Sequence, residues 1–211
     1  MGSSSSHIKD LHQACEDSNY INVVFIIDYK SVNINAYNGK ALQLASEKGH
    51  LNIVKYLVEH GANIHLYDNM ALRDASRNNH SEVITYLIKQ GADINANNST
   101  VLIMACIHKQ FELIKFLIEH GANIHAWNDS VFKFACEYKR FELIKYLIEY
   151  GANIDYLHLK SYVTTQEFNT IKQLKQQYDN KVIQLLSSND EPSAPYNEDD
   201  LPPCYNDIIK N

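Results

Sequence analysis

The chain has 211 residues, enough for a sizeable core, with 45% hydrophobic residues, 21% charged residues and a net charge of −6. No basic block or stripe is present, which excludes a surface built to neutralise nucleic-acid phosphates. No apolar run approaches the ~20 residues that cross a bilayer, and no basic n-region followed by an apolar h-region marks a signal peptide.

The chain opens on Met1-Gly2-Ser3-Ser4-Ser5-Ser6. This fits the M-G-x-x-x-[ST] pattern for myristoylation at Gly2. One acyl chain binds a membrane only marginally, and no polybasic patch adds a second signal. Weak membrane association is therefore expected only if Gly2 is acylated. Residues 1–6 are read as a flexible N-terminus.

From residue 7 to about residue 160 the chain repeats itself. Gly61-Ala62-Asn63-Ile64, Gly91-Ala92-Asp93-Ile94, Gly121-Ala122-Asn123-Ile124 and Gly151-Ala152-Asn153-Ile154 recur every 30 residues. Ser31-Val32-Asn33-Ile34 is a degenerate earlier copy. An amphipathic stretch precedes each glycine. In one of them Leu113, Ile114, Leu117 and Ile118 share a helical face, and the following Gly suits a left-handed C-cap. A shorter apolar stretch, centred on Ala45, Ala75, Ala105 or Ala135, comes earlier in each unit. The small Ala lets two helices approach closely. Each unit therefore reads as a short finger, a first helix, a tight turn and a second helix. No unit can bury its apolar face alone, whereas stacked neighbours can. An N-terminal pair around Leu11, Ala14, Cys15 and the run Val23 to Ile27 brings the count to about five helix pairs.

This pattern resembles ankyrin repeats, and its short form is similar to ankyrin proteins of giant DNA viruses of the mimivirus type. The expected fold is an all-α ankyrin-repeat solenoid. Two departures stand out. The usual unit has three more residues, missing here from the finger. The usual TPLH tetrapeptide is replaced by Lys40-Ala41-Leu42-Gln43, Met70-Ala71-Leu72-Arg73, Thr100-Val101-Leu102-Ile103 and Ser130-Val131-Phe132-Lys133. The Thr–His bonding of the family is thus mostly absent, and shorter fingers with lower stability per repeat are expected.

The resemblance also implies where a protein partner would sit, on a concave face of finger tips and first helices. It places Tyr37, Tyr67, Asn97 and Trp127 at one finger position. It places Leu44, Asp74, Met104 and Phe134 at the variable first-helix positions. Exposed aromatics there would be binding hot spots. The competing expectation is that these rings pack on adjacent fingers and compensate for the lost turn chemistry.

Other reactive side chains follow the repeat rather than a site. His50, His80, His60 and His120 fall at helix ends, where a cation-capable side chain serves as an ordinary cap. Cys15, Cys106 and Cys136 each follow an Ala and read as small core residues. Their spacing, together with Cys204, suits neither zinc nor a CxxC pair. Free thiols without a secretory signal point to a reducing compartment, the cytoplasm or the nucleus. No catalytic motif, metal site or cofactor is expected, and the chain is read as a non-enzymatic monomer.

After Tyr156 the pattern changes. Thr164-Thr165-Gln166-Glu167 reads as a capping box. Phe168, Ile171, Leu174, Tyr178 and Val182 follow at helical spacing, which predicts a capping helix within 161–187.

Residues 188–211 carry a net charge of −5, which leaves −1 for the rest of the chain. Such an acidic, apolar-poor segment is expected to be disordered. All four prolines lie here. Pro192-Ser193-Ala194-Pro195 is a PSAP match, and Pro202-Pro203-Cys204-Tyr205 is a PPxY match followed by Ile208 and Ile209. Proline-rich segments favour an extended polyproline II shape that aromatic-lined grooves accept, with an adjacent pocket for the tyrosine ring. Ile208 would add apolar contact one turn further on. The pair resembles late-domain motifs of viral structural proteins. That resemblance implies docking of PSAP to the ubiquitin-E2-variant domain of ESCRT-I, and of PPxY to WW domains of HECT ubiquitin ligases. Only Tyr196 to Leu201 separate the motifs, so alternate use is expected.

Overall fold

The computed structural model describes residues 2–154 and 163–187. Among the described residues there are eleven α-helices and no strand. The described residues up to 123 form one compact unit and those from 124 onward a second.

The first unit holds four helix pairs. They are α1 (Gly2–Glu16) with α2 (Tyr20–Lys30), α3 (Ala36–Glu47) with α4 (Leu51–Glu59), α5 (Leu66–Arg77) with α6 (Ser81–Lys89), and α7 (Ala96–Ile107) with α8 (Phe111–Glu119). First helices α1, α3, α5 and α7 pack each on the next, and α2, α4 and α6 form a second row. The sequence explains the close approach. Ala45 and Ala75 are fully buried and Ala105 nearly so, alongside Leu42, Leu72 and Leu102. On the second helices Leu57, Leu87 and Leu117 have no solvent exposure. Each such side chain contributes ~2 kcal/mol by leaving water.

Helix α1 begins at Gly2, inside the segment 1–6. Leu11, Ala14 and Cys15 are buried and anchor the helix. Extending an existing helix fixes one residue per hydrogen bond gained, and serine costs only ~0.5 kcal/mol relative to alanine there.

The second unit holds α9 (Ala126–Glu137) paired with α10 (Phe141–Glu149), and then α11 (Thr165–Ser187). Val131, Ala135, Ile144 and Leu147 are fully buried between the pair. Helix α11 packs on α10 and buries Ile171 completely. Its N-terminus is a reciprocal capping box. The Glu167 N–H donates to Thr164 Oγ1 at 3.3 Å, and the Thr164 N–H donates to Glu167 Oε2 at 2.7 Å.

Second helices end by a common device. At α4 the Ala62 N–H reaches the Leu57 carbonyl at 2.9 Å and the Gly61 N–H reaches Val58 at 3.0 Å, with Gly61 at φ +91°. This pair of bonds is the Schellman closure. It recurs at Gly91, Gly121 and Gly151.

The finger takes an unexpected form. Tyr37-Asn38-Gly39, Tyr67-Asp68-Asn69, Asn97-Asn98-Ser99 and Trp127-Asn128-Asp129 all lie in the left-handed region. Each triplet closes one left-handed turn, with an N–H four residues on from its carbonyl: Gly39 to Asn35 at 3.1 Å, Asn69 to His65 at 3.4 Å, Ser99 to Asn95 at 3.0 Å and Asp129 to His125 at 3.3 Å. L-residues lose ~1–2 kcal/mol each in this conformation, with Gly, Asn and Asp the most tolerant. The composition of the triplets follows that rule except at Tyr37, Tyr67 and Trp127 in the first position and at Ser99.

Candidate partner-binding surface

The finger turns are held by side-chain amides. Asn33 Oδ1, Asn63 Oδ1 and Asp93 Oδ1 each accept the N–H two residues on, at 3.0, 2.9 and 2.9 Å. The asparagine or aspartate at this place in the repeat thus starts the first three turns. Asn35 then clasps the next unit. Its Nδ2 donates to the Gly61 carbonyl at 2.9 Å, and its Oδ1 accepts the Asn63 N–H at 2.8 Å. Asn95 repeats both bonds, at 3.0 Å to Gly121 and 2.8 Å from Asn123. His65 stands at the corresponding position between them. There Asn69 Oδ1 instead accepts the Asp93 N–H at 3.1 Å. These amides take over the locking role of the absent TPLH chemistry. The sequence reading missed them, although asparagine at 35 and 95 against histidine at 65 and 125 was a readable alternation.

On this frame the first residue of each turn points its side chain outward. Tyr37 is 63% exposed and Tyr67 56% exposed in the first unit, and Asn97 is exposed at the corresponding place. Tyr37 meets His12 edge-on at 5.7 Å between centroids, and the Tyr67 hydroxyl accepts from Asn38 Nδ2 at 2.6 Å. Each ring is thus braced at its margin and open over much of its surface. In the second unit Trp127 is 57% exposed, and its carbonyl accepts from Ser130 Oγ. Beside it His125 Nδ1 and Asp129 Oδ1 are 2.6 Å apart.

The first-helix positions divide. Leu44 and Asp74 are each only 8% exposed. Asp74 Oδ2 accepts from Gln43 Nε2 at 2.8 Å, and its Oδ1 faces Arg77 Nη1 at 3.3 Å. Stacking of neighbouring first helices covers both residues, which leaves them almost no surface for a partner. Met104 and Phe134 are half-buried. In the second unit Phe134 packs against the exposed Tyr138 with centroids 4.5 Å apart. Trp127 and Phe134 lie on α9, and Tyr138 caps its C-terminus. Tyr138 escaped the sequence reading because it lies one turn past the variable position.

The histidines are structural in two ways. His60 Nδ1 donates to the Tyr56 carbonyl of its own helix at 2.8 Å, with its ring stacked on Tyr56 at 3.9 Å. His120 does the same with Phe116. His50 and His80 instead donate from Nε2 to the preceding unit, to the Glu16 carbonyl at 3.2 Å and the Glu47 carbonyl at 2.9 Å. They satisfy helix C-termini that are not their own. Cys15, Cys106 and Cys136 are buried, and burial pushes each thiol up to about 12.

Among the described residues, no group of three His, Cys, Asp or Glu side chains is arranged to hold a metal ion. No described helix is long and apolar enough to cross a membrane. Gly2 is the first residue of α1. The tail residues Pro192, Ser193, Ala194, Pro195, Pro202, Pro203, Tyr205 and Ile208 lie outside the described residues.

A family model described as ankyrin repeats (3 copies) matches residues 11–98 and residues 72–157. No curated protein gives a significant match to the chain. The two stretches together run from residue 11 to residue 157, well over half of the 211 residues, and they coincide with the helix pairs and their left-handed fingers. The chain belongs to the ankyrin-repeat family.

Proposed function

We propose that the protein is a monomeric cytoplasmic adaptor that binds one protein through its repeats and recruits others through residues 188–211. The observation that carries the first half is the set of exposed finger aromatics, Tyr37 and Tyr67 in one unit and Trp127 in the other. Large rings held open to solvent on hydrogen-bonded turns supply contact area at little entropic cost when a partner covers them. Phe134 and Tyr138 extend the surface around Trp127, and Met104 offers a partly open apolar side chain on α7. A protein partner fits these rings better than a small ligand, because Tyr37, Tyr67 and Trp127 each stand exposed on a finger turn.

The second half rests on sequence. PSAP at 192–195 and PPxY at 202–205 stand in one acidic segment that holds every proline of the chain. The partners they fit are a ubiquitin-E2-variant domain of the ESCRT-I kind and a WW domain of a HECT ligase. The test is a titration of the full chain with each isolated domain. Tyr205→Ala is expected to abolish WW binding and spare the E2-variant domain, and Pro195→Ala to do the reverse. Wild-type protein that binds neither domain, or variants that bind as wild type, would end the tail reading. The repeats would then act alone, as a protein that captures or sequesters its target, and removal of 188–211 would leave capture unchanged.

A further inference from the structure

Asn38-Gly39 is the only Asn-Gly pair in the chain, and it occupies the centre of the first finger turn. We propose that this pair is a deamidation site gated by the finger, so that Asn38 converts only when the contact between the first two fingers opens. The chemistry needs no enzyme. The Gly39 backbone nitrogen attacks Asn38 Cγ and forms the new C–N bond of a five-membered succinimide. The bond from Cγ to Nδ2 breaks, and the nitrogen leaves as ammonia with the proton taken from Gly39. Water then opens the ring at either carbonyl, giving aspartate or isoaspartate. Glycine favours this reaction because it places no side chain in the way of the attacking nitrogen.

Three features hold the folded finger out of that reaction. Asn38 sits at φ 60°, ψ 40° inside the left-handed turn. The Gly39 N–H is committed to the Asn35 carbonyl at 3.1 Å. The leaving amide donates to the Tyr67 hydroxyl at 2.6 Å. Gly39 is also packed, since a Cβ there would come within 2.9 Å of Leu66 Cδ1 at the start of the next finger. Asn38 itself is exposed, so water reaches it once the turn opens. Attack requires the turn to unwind and the Tyr67 bond to release together. Asn98-Ser99 holds the same two places in a later finger and provides an internal comparison in which a side chain slows cyclisation.

The product would change the contact. A carboxylate has no N–H to give Tyr67 and must instead accept from its hydroxyl, and isoaspartate lengthens the backbone by one carbon inside the turn that the Gly39–Asn35 hydrogen bond closes. Conversion to isoaspartate would therefore disturb the turn that carries Tyr37 and its contact with Tyr67. The site is a chemical modification point on the surface proposed to bind a partner, and its chemistry does not depend on that binding.

The experiment is peptide mapping by mass spectrometry of full-length protein held at mildly alkaline pH, folded and in urea, for wild type and Tyr67→Phe. Circular dichroism first establishes that the variant is folded. In urea Asn38 is expected to convert at least ~10-fold faster than in the folded protein, because the folded rate is scaled by a local opening equilibrium. Tyr67→Phe is expected to raise the folded rate roughly fivefold, the worth of one hydrogen bond, and to leave the rate in urea unchanged. Equal rates in folded and unfolded wild type, a folded rate indifferent to Tyr67→Phe, or no conversion in either state would overturn the proposal. None of these outcomes bears on partner binding, so the two readings fail separately.

Discussion

The imidazole of His80 lies so close over Gly49 that a Cβ built there would be 2.3 Å from its Nδ1. Gly49 also sits at φ +76°, in the turn between α3 and α4. From that position His80 donates to the Glu47 carbonyl of the preceding unit. Gly49→Ala is therefore expected to destabilise the protein by about 2 kcal/mol from the left-handed backbone alone, with the steric clash added. His80→Ala in the same chain should recover the clash but not the backbone cost. A double-mutant cycle by urea unfolding checks this, and strictly additive effects would show that the two residues do not touch.

The amide clasp gives a second expectation. Asn35→Ala removes two hydrogen bonds to the Gly61–Asn63 segment. A loss of ~1–2 kcal/mol is expected, at the modest end because the site is partly open to water. Asn95→Ala should cost a similar amount, since its bonds to Gly121 and Asn123 are the same pair. Denaturation midpoints of the two variants test the equivalence.

Burial of the thiols makes stability depend on pH in a stated direction. Cys15, Cys106 and Cys136 hold their protons to about 12 in the folded chain, against 9.0 for an ordinary thiol. Above pH 9 the unfolded chain releases those protons and the folded chain keeps them, so unfolding gains ground as pH rises through this window. The contribution is intact below pH 9 and lost by about pH 12. Replacing the three cysteines with alanine should flatten this part of the stability curve between pH 9 and about pH 12. In the folded wild type the same thiols should react with an aromatic disulfide reagent far more slowly than in urea.

Leu57 and Leu117 occupy matching core positions on α4 and α8, each with no exposure. Leu→Ala at either site should cost ~3 kcal/mol through lost burial and the cavity left behind. Thermal unfolding followed by circular dichroism measures it, and a cost below ~1 kcal/mol would mean that the stack relaxes around the void.

How far the structure could be read in advance depends on how local its causes are. The Gly61, Gly91, Gly121 and Gly151 closures and the Thr164–Glu167 box were legible, because each is set by a few residues in a row. The helix pairs were legible through their 30-residue period. The left-handed fingers were not, because Tyr37, Tyr67 and Trp127 belong to residue types that avoid that conformation. Only the Asn, Asp and Gly after them hint at it. His50 and His80 cap a neighbour rather than their own helix, which depends on stacking that no single unit encodes. Asp74 was placed on the binding face by its position in the repeat, yet Gln43 and Arg77 close over it once the first helices stack.

The central claim is that the exposed finger aromatics hold a protein partner. Its most direct measurement is affinity capture from cell extract with full-length wild type beside the folded triple variant Tyr37→Ala, Tyr67→Ala, Trp127→Ala, with bound proteins quantified by mass spectrometry. At least one protein enriched on wild type should fall by tenfold or more on the triple variant, while proteins held through residues 188–211 stay. An unchanged set of bound proteins on the two would contradict the claim.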